Sequence, residues 1–202
     1  MPNVTLDLAD PIAVLLATAE ALRRASIKVA AYGGLALAAY GAPRETKDAD
    51  LTVVGTTGAD AAKALAAAGI ESLVAFDRVR FGGNRLTRLT LLPNEGAAAL
   101  NTADLVEPLS PRYARAVLDR AYETVLRGKS IRIATPEDFI LLKILSTRDR
   151  DVEDAATIMS SLGSRLDSRM IDLEAAALAA EIPDHDVSGR LQRARAAAGT
   201  IS

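Results

Sequence analysis

Residues 27–54 read IKVAAYGGLALAAYGAPRETKDADLTVV. Ile27–Tyr32 is a short apolar run rich in strand formers, and Gly33-Gly34 breaks it. Leu35–Tyr40 then has the Ala/Leu composition of a short helix, Gly41-Ala42-Pro43 marks a turn, and Asp50–Val54 forms a second strand stopped by Gly55. Two glycines between a strand and a helix permit close approach of backbone amides to an anionic ligand, although a plain tight turn has the same sequence. Asp48 and Asp50 stand at positions i and i+2 of an extended segment, so their side chains leave the same face. Two carboxylates projecting together repel unless a cation lies between them, the arrangement used by divalent ions that hold a triphosphate; a solvated strand edge is the simpler alternative.

On the N-terminal side, Asp10-Pro11 signals a helix start, and Ile12, Leu15, Leu16, Ala19 and Leu22 follow helical spacing. On the C-terminal side, Gly58–Ala68 is a helix closed by Gly69, and Ala75–Phe81 with Arg85–Leu91 alternates around Gly82-Gly83-Asn84 as a hairpin. Glu95–Leu105 reads as helix or irregular, Tyr113–Tyr122 as helix, and Thr124–Leu126 with Ile131–Ile133 as a second hairpin across Arg127-Gly128-Lys129-Ser130. Thr135-Pro136-Glu137-Asp138 combines an N-cap, a first-turn proline and first-turn acids. From there the pattern is helical throughout: 136–146, 149–162, 168–181 and 187–198. The expected fold is therefore α/β (α+β): a small mixed sheet flanked by helices over residues 1–133, with a helical bundle over 134–202 packed on it.

The composition narrows the chemistry. The chain has 202 residues, net charge −2, no Cys and a single His. Disulfides, thiolate metal sites, cysteine nucleophiles and multi-histidine metal sites are excluded. His185 lies in a polar Pro-Asp-His-Asp segment, a poor setting for a triad base. Catalysis must rest on carboxylates, Lys, Arg, hydroxyls and backbone amides, an inventory that suits a hard cation. No stretch is long enough to span a bilayer and no export signal is evident, so a cytoplasmic, non-membrane protein is expected. There are 19 Arg and only 5 Lys. One of those lysines, Lys143, falls inside the apolar run Phe139–Leu145, where it must reach solvent, a carboxylate or a phosphate. The charged segment Arg148-Asp149-Arg150-Asp151, with Asp154, follows it.

Taken together, the strand–Gly33-Gly34–helix, the Gly-x-Pro-Arg-x-Thr-x-Asp-x-Asp run over 41–50 and the later Pro-Glu-Asp-Phe-x-x-x-Lys helix with Arg-Asp-Arg-Asp-x-x-Asp resemble the polymerase-β-type nucleotidyltransferase superfamily. Within it, Tyr32–Leu51 is similar to the first motif of the AbiEii/MenT-like bacterial toxin group, and Thr135–Asp154 to its later helical motif. The resemblance implies a metal-dependent transfer of a nucleoside monophosphate from a nucleoside triphosphate to an acceptor hydroxyl, on RNA (tRNA) above all, as the toxin of a toxin–antitoxin pair with a cognate antitoxin as partner. It implies Mg2+ (or Mn2+) held by Asp48 and Asp50, nucleotide contacts from Gly33, Gly34, Arg44, Thr46 and Lys143, and catalytic roles for Asp48, Asp50, Lys143 and Asp151.

Members of the superfamily often carry a third carboxylate on a later central strand. Aligned on Leu89-Thr90-Leu91-Leu92, that place falls to Thr90, which cannot accept a proton as a carboxylate does. This departure motivates a rival reading as a degenerate, nucleotide-binding regulatory protein. A small-molecule (antibiotic) nucleotidyltransferase is a third. Arg78, Arg80, Arg85 and Arg88 on the first hairpin are candidates for a polynucleotide-binding face, or for ordinary strand-face charge.

Overall fold

The computed structural model describes residues 6–42, 46–93 and 100–200. Its strands are β1 (Val29–Tyr32), β2 (Ala49–Val53), β3 (Ser72–Phe81), β4 (Asn84–Leu91), β5 (Asn101–Pro108), β6 (Tyr122–Leu126) and β7 (Lys129–Ile133). Its α-helices are α1 (Pro11–Arg24), α2 (Gly34–Leu37), α3 (Gly58–Ala67), α4 (Pro111–Arg120), α5 (Pro136–Ile144), α6 (Asp149–Leu162), α7 (Ser168–Glu181) and α8 (Val187–Thr200). The strands form one seven-stranded mixed sheet in the order β3-β4-β5-β2-β1-β7-β6. The fold is the α/β one expected, with helices alone after residue 134.

The cap residues act as their chemistry dictates. Asp10 accepts from the amides of Ile12 and Ala13 ahead of Pro11. Thr135 accepts from Asp138 ahead of Pro136, and each such cap stabilises its helix by about 1 kcal/mol. The segment expected as one helix over Leu35–Tyr40 is a single α-turn, α2, followed by a 3-10 turn at Ala38–Tyr40. Gly41 then adopts a left-handed conformation, which stops the chain from continuing helically.

Residues 101–105, read as helix or irregular, begin β5 instead; residues 94–99 lie outside the described segments. β5 pairs parallel with β2 and antiparallel with β4. Ala103–Pro108 is buried throughout. A strand covered on both faces shows no polar/apolar alternation, which removes the usual sequence signal.

Alternation also divides the central sheet into two faces. Leu51 and Val53 of β2, Ala103 and Leu105 of β5 and Leu89 of β4 are buried in the main hydrophobic core, which also takes in α1 residues Val14, Leu15 and Leu22. Asp50, Asp104, Leu86 and Asn84 belong to the opposite set and line a cavity. The core is continuous across residues 133–134: Ile133 and Ala134 share it with Phe139–Leu142, and Tyr40 donates from its hydroxyl to the Ala134 carbonyl at 2.6 Å.

The tip of the β3–β4 hairpin docks on the end of α5. The Gly83 amide donates to the Leu145 carbonyl at 2.7 Å, and Leu109 donates to Gly83. Gly82 has φ +65°, and a Cβ there would lie 2.6 Å from the Leu145 oxygen, so both backbone conformation and contact require glycine. His185 and Arg190 reach the same helix end. The His185 Nε2 lies 2.9 Å from the Ile144 carbonyl, and Arg190 donates to Ile144 and Arg148 carbonyls. The lone histidine is thus part of a structural junction.

Candidate active site

A cavity of about 590 Å3 opens between the sheet and the α5–α6 region; Tyr32, Asp48, Asp50, Asp104, Lys143 and Asp151 are among its walls. Asp48 and Asp50 reach it together, as their i, i+2 spacing implies. β1 and β2 run antiparallel with Tyr32 opposite Asp50. The Asp50 carboxylate packs directly on Gly33: a Cβ at Gly33 would lie 2.0 Å from Asp50 Oδ2, and Gly33 has φ +82°. The first glycine of the pair therefore makes room for the protein's own carboxylate. A Cβ at Gly34 would meet the Thr46 side chain at 2.7 Å. Thr46 lines the cavity, whereas Gly33 and Gly34 support it from behind. Arg44 lies outside the described residues.

The strand beside β2 is β5, not β4. Asp50 is the registered partner of Asp104, and Asp104 in turn faces Arg88 on β4. The carboxylate on a later central strand is therefore Asp104. Thr90 pairs with Thr102 and Leu73, one strand further from Asp50. The expectation that Thr90 takes that place is corrected by the intervening strand. Its signal in the sequence was the run Ala103-Asp104-Leu105-Val106, an acid inside an apolar strand.

Arg88 grips Asp104 with two hydrogen bonds of 2.7 Å, Nε to Oδ1 and Nη2 to Oδ2, and Asp104 is 3% exposed. Thr102 Oγ1 donates to Asp48 Oδ1 at 2.8 Å. Asp50 has a different environment. Burial, opposed by Lys143 and reinforced by Asp104, Asp48 and Asp151, pushes its carboxyl from 3.8 up to about 7. Among the described residues no three acidic or histidine side chains are gathered tightly enough to form a metal-binding group. With Asp104 held by Arg88 and Asp48 held by Thr102, the three carboxylates line one cavity without converging. Their donor chemistry nonetheless suits a hard divalent cation, and the raised Asp50 carboxyl registers above all its burial, which Lys143 does not fully offset.

Lys143 is 6% exposed. Its Nζ lies 2.6 Å from Asp151 Oδ1 and 2.9 Å from Asp154 Oδ2, and 5.7 and 5.5 Å from the ring centres of Tyr32 and Phe139. Burial alone would lower its pKa, but Asp151 and Asp154 outweigh that and raise it, so the ammonium stays charged. Burial likewise works against Asp151, yet Lys143, Ser146 and Arg148 hold its carboxyl below the ordinary value. Arg148 and Arg150 add positive charge to the rim, and the Arg148 guanidinium lies 5.1 Å from the Phe81 ring centre.

The hairpin arginines are mostly engaged within the protein: Arg78 with Glu107, Arg80 with Asp184 and Arg88 with Asp104. That pattern describes pinning of the hairpin rather than a free cationic track.

The sequence matches, over residues 104–195, the family described as nucleotidyl transferase of unknown function (DUF2204). No curated protein matches the chain. Among solved structures it is similar to the antibiotic-resistance factor ANT(2'')-Ia in solution, with TM-score 0.51 and 15% identity over 84% of this chain and 91% of that one. The crystal structure of ANT(2'')-Ia in complex with adenylyl-2''-tobramycin gives 0.50 and 15%, over 84% and 97%. An antigenic nucleotidyltransferase-like protein from Paracoccidioides brasiliensis gives 0.49 and 21%, over 92% and 94%. The fold is nucleotidyltransferase-like. Among the described residues no helix is long and apolar enough to cross a membrane.

Proposed function

We propose that this protein is a metal-dependent nucleotidyltransferase that transfers a nucleoside monophosphate from a nucleoside triphosphate to an acceptor hydroxyl. The observation that carries this reading is the lining of one cavity of nucleotide size by Asp48, Asp50 and Asp104 together with the buried ammonium of Lys143. Asp48 and Asp50, with Asp104 once Arg88 releases it, are the residues that would hold Mg2+ (or Mn2+). The bound cation supplies neutralisation of phosphate charge and acidification of the acceptor hydroxyl.

The chain's own groups divide the remaining work. The acceptor oxygen forms a bond to the α-phosphorus, the bond from that phosphorus to the bridging oxygen breaks, and pyrophosphate leaves. Asp104 takes the acceptor proton; Lys143 and the rim arginines balance charge on the departing phosphates, and Asp151 orients the Lys143 ammonium. Thr46 contributes to the wall of the nucleotide pocket, and Gly33 and Gly34 leave room for the Asp50 and Thr46 side chains that line it. The missing-acid argument for a degenerate binding protein rested on Thr90, and Asp104 removes its motive.

Two acceptor classes remain in view. Resemblance of Tyr32–Leu51 to the AbiEii/MenT-like toxins supports RNA, tRNA in particular, and with it a cytoplasmic toxin with an antitoxin partner. The confined cavity and the internally paired hairpin arginines favour a small hydroxylated molecule, the class to which the tobramycin bound to ANT(2'')-Ia belongs. Incubating the protein with Mg2+, each α-labelled nucleoside triphosphate and, separately, total RNA, aminoglycosides and its own co-purified proteins discriminates them. Label in RNA supports the toxin reading and label in the aminoglycoside the small-molecule reading. No transfer in any arm refutes the enzyme reading.

A further inference from the structure

We infer that the β3–β4 hairpin tip is a base-recognition subsite, in which the Asn84 side-chain carbonyl selects nucleotides whose base carries an exocyclic amino group. The inference rests on the nucleotidyltransferase reading of the cavity and deepens it.

Asn84 is 3% exposed and lines the cavity. Its Nδ2 donates to the Leu142 carbonyl at 3.4 Å. That bond fixes the amide orientation, because the reverse assignment would set two carbonyl oxygens against each other. Oδ1 is then the free group, and it has no hydrogen-bond partner among the described residues. A buried amide oxygen without a donor is costly, so a ligand that brings an N–H to it gains more than it would at a solvated site.

The floor of the cavity runs in the right order for a nucleotide. On this side of β4 and β5 the residues pair in steps of two, Arg88 with Asp104, Leu86 with Val106, and Asn84 with Pro108, and of these Asp104, Leu86, Val106 and Asn84 line the cavity. Asn84 therefore lies four residues along the sheet from the carboxylate level, roughly 13 Å at strand rise. Between them Leu86 and Val106 form an apolar stretch suited to a sugar and a flat ring. Phe81 is the registered partner of Asn84 across the glycine turn, and its ring already receives a planar, delocalised group, the guanidinium of Arg148. The same aromatic surface suits a base. Docking of Gly83 on Leu145 makes the tip a fixed wall.

Competition binding in Mg2+ tests this on the unaltered protein with ATP against ITP and CTP against UTP, with inorganic tripolyphosphate as the base-free probe. ITP and UTP present a carbonyl where ATP and CTP present an amine. ATP and CTP are expected to bind about tenfold tighter than their partners, the size of one well-placed hydrogen bond. Asn84→Ala is expected to remove that preference while leaving tripolyphosphate affinity unchanged; the comparison on the unaltered protein stands even where the variant does not fold. Equal binding of all four nucleotides, or an unchanged preference in a folded Asn84→Ala, overturns the subsite and leaves the nucleotidyltransferase reading intact. Failure of tripolyphosphate and every nucleotide to bind overturns both.

Discussion

Asp50→Asn isolates the energetic consequence of placing a carboxylate on Gly33 beside two other acids. In the folded protein the Asp50 carboxyl sits at about 7, against 3.8 for its ordinary value. A carboxyl whose pKa is raised by folding stabilises the folded state only while protonated. Its contribution is complete below pH 4 and is lost as pH rises through about 7, because the folded state holds the proton longer than the unfolded one. A rise of about three units corresponds to about 4 kcal/mol at ~1.4 kcal/mol per unit, and to about 2 kcal/mol where solvent at the cavity mouth screens the charge. Asparagine preserves the shape and removes the titration. Urea unfolding from pH 5 to 9 is expected to show the wild type losing about 1–3 kcal/mol relative to Asp50→Asn, since the part between pH 4 and 5 is already gone, with the variant the more stable protein at pH 8. Mg2+ is expected to close that gap by stabilising the wild type alone. Parallel stability profiles, with no crossing and no Mg2+ effect, would refute the assignment of Asp50 as a buried carboxyl awaiting a cation.

Other perturbations separate structural from chemical roles. Lys143→Met strands Asp151 and Asp154 in a buried site and is expected to cost about 3–5 kcal/mol at pH 8 and less at pH 5, because burial favours the protonated form of Asp151 once Lys143 is gone; denaturation at the two pH values measures it. Gly33→Ala is expected to lower the melting temperature and abolish transfer, since its Cβ would collide with Asp50 at an unfavourable φ; calorimetry and a turnover assay check both. Asp104→Asn is expected to reduce turnover at least a hundredfold, while Thr90→Asp brings no gain, a comparison that rates of pyrophosphate release decide.

Local signals made much of this molecule legible before its structure. Asp10-Pro11 and Thr135-Pro136 start helices because their caps and prolines act within a few residues. The Asp48/Asp50 pair was readable because alternation is a property of one strand. Lys143 was noticed because a cation in an apolar helix needs a partner, and Asp151 and Asp154 supply it. The missed features all depend on which strand lies beside which. β5 hid because burial on both faces erases alternation, and with it went Asp104, its Arg88 clamp and the correct place of Thr90. Asn84 looked like a turn residue; only the docking of its hairpin on Leu145 turns its amide into the cavity wall.

The most direct measurement compares the wild type with Asp48→Asn/Asp50→Asn for Mg2+-dependent transfer of α-label from nucleoside triphosphates, with melting curves run alongside. The wild type is expected to transfer label and release pyrophosphate, and the folded double variant to do neither, since removing adjacent like charges relieves repulsion while deleting the cation ligands. A double variant that transfers label at the wild-type rate would contradict the carboxylate site.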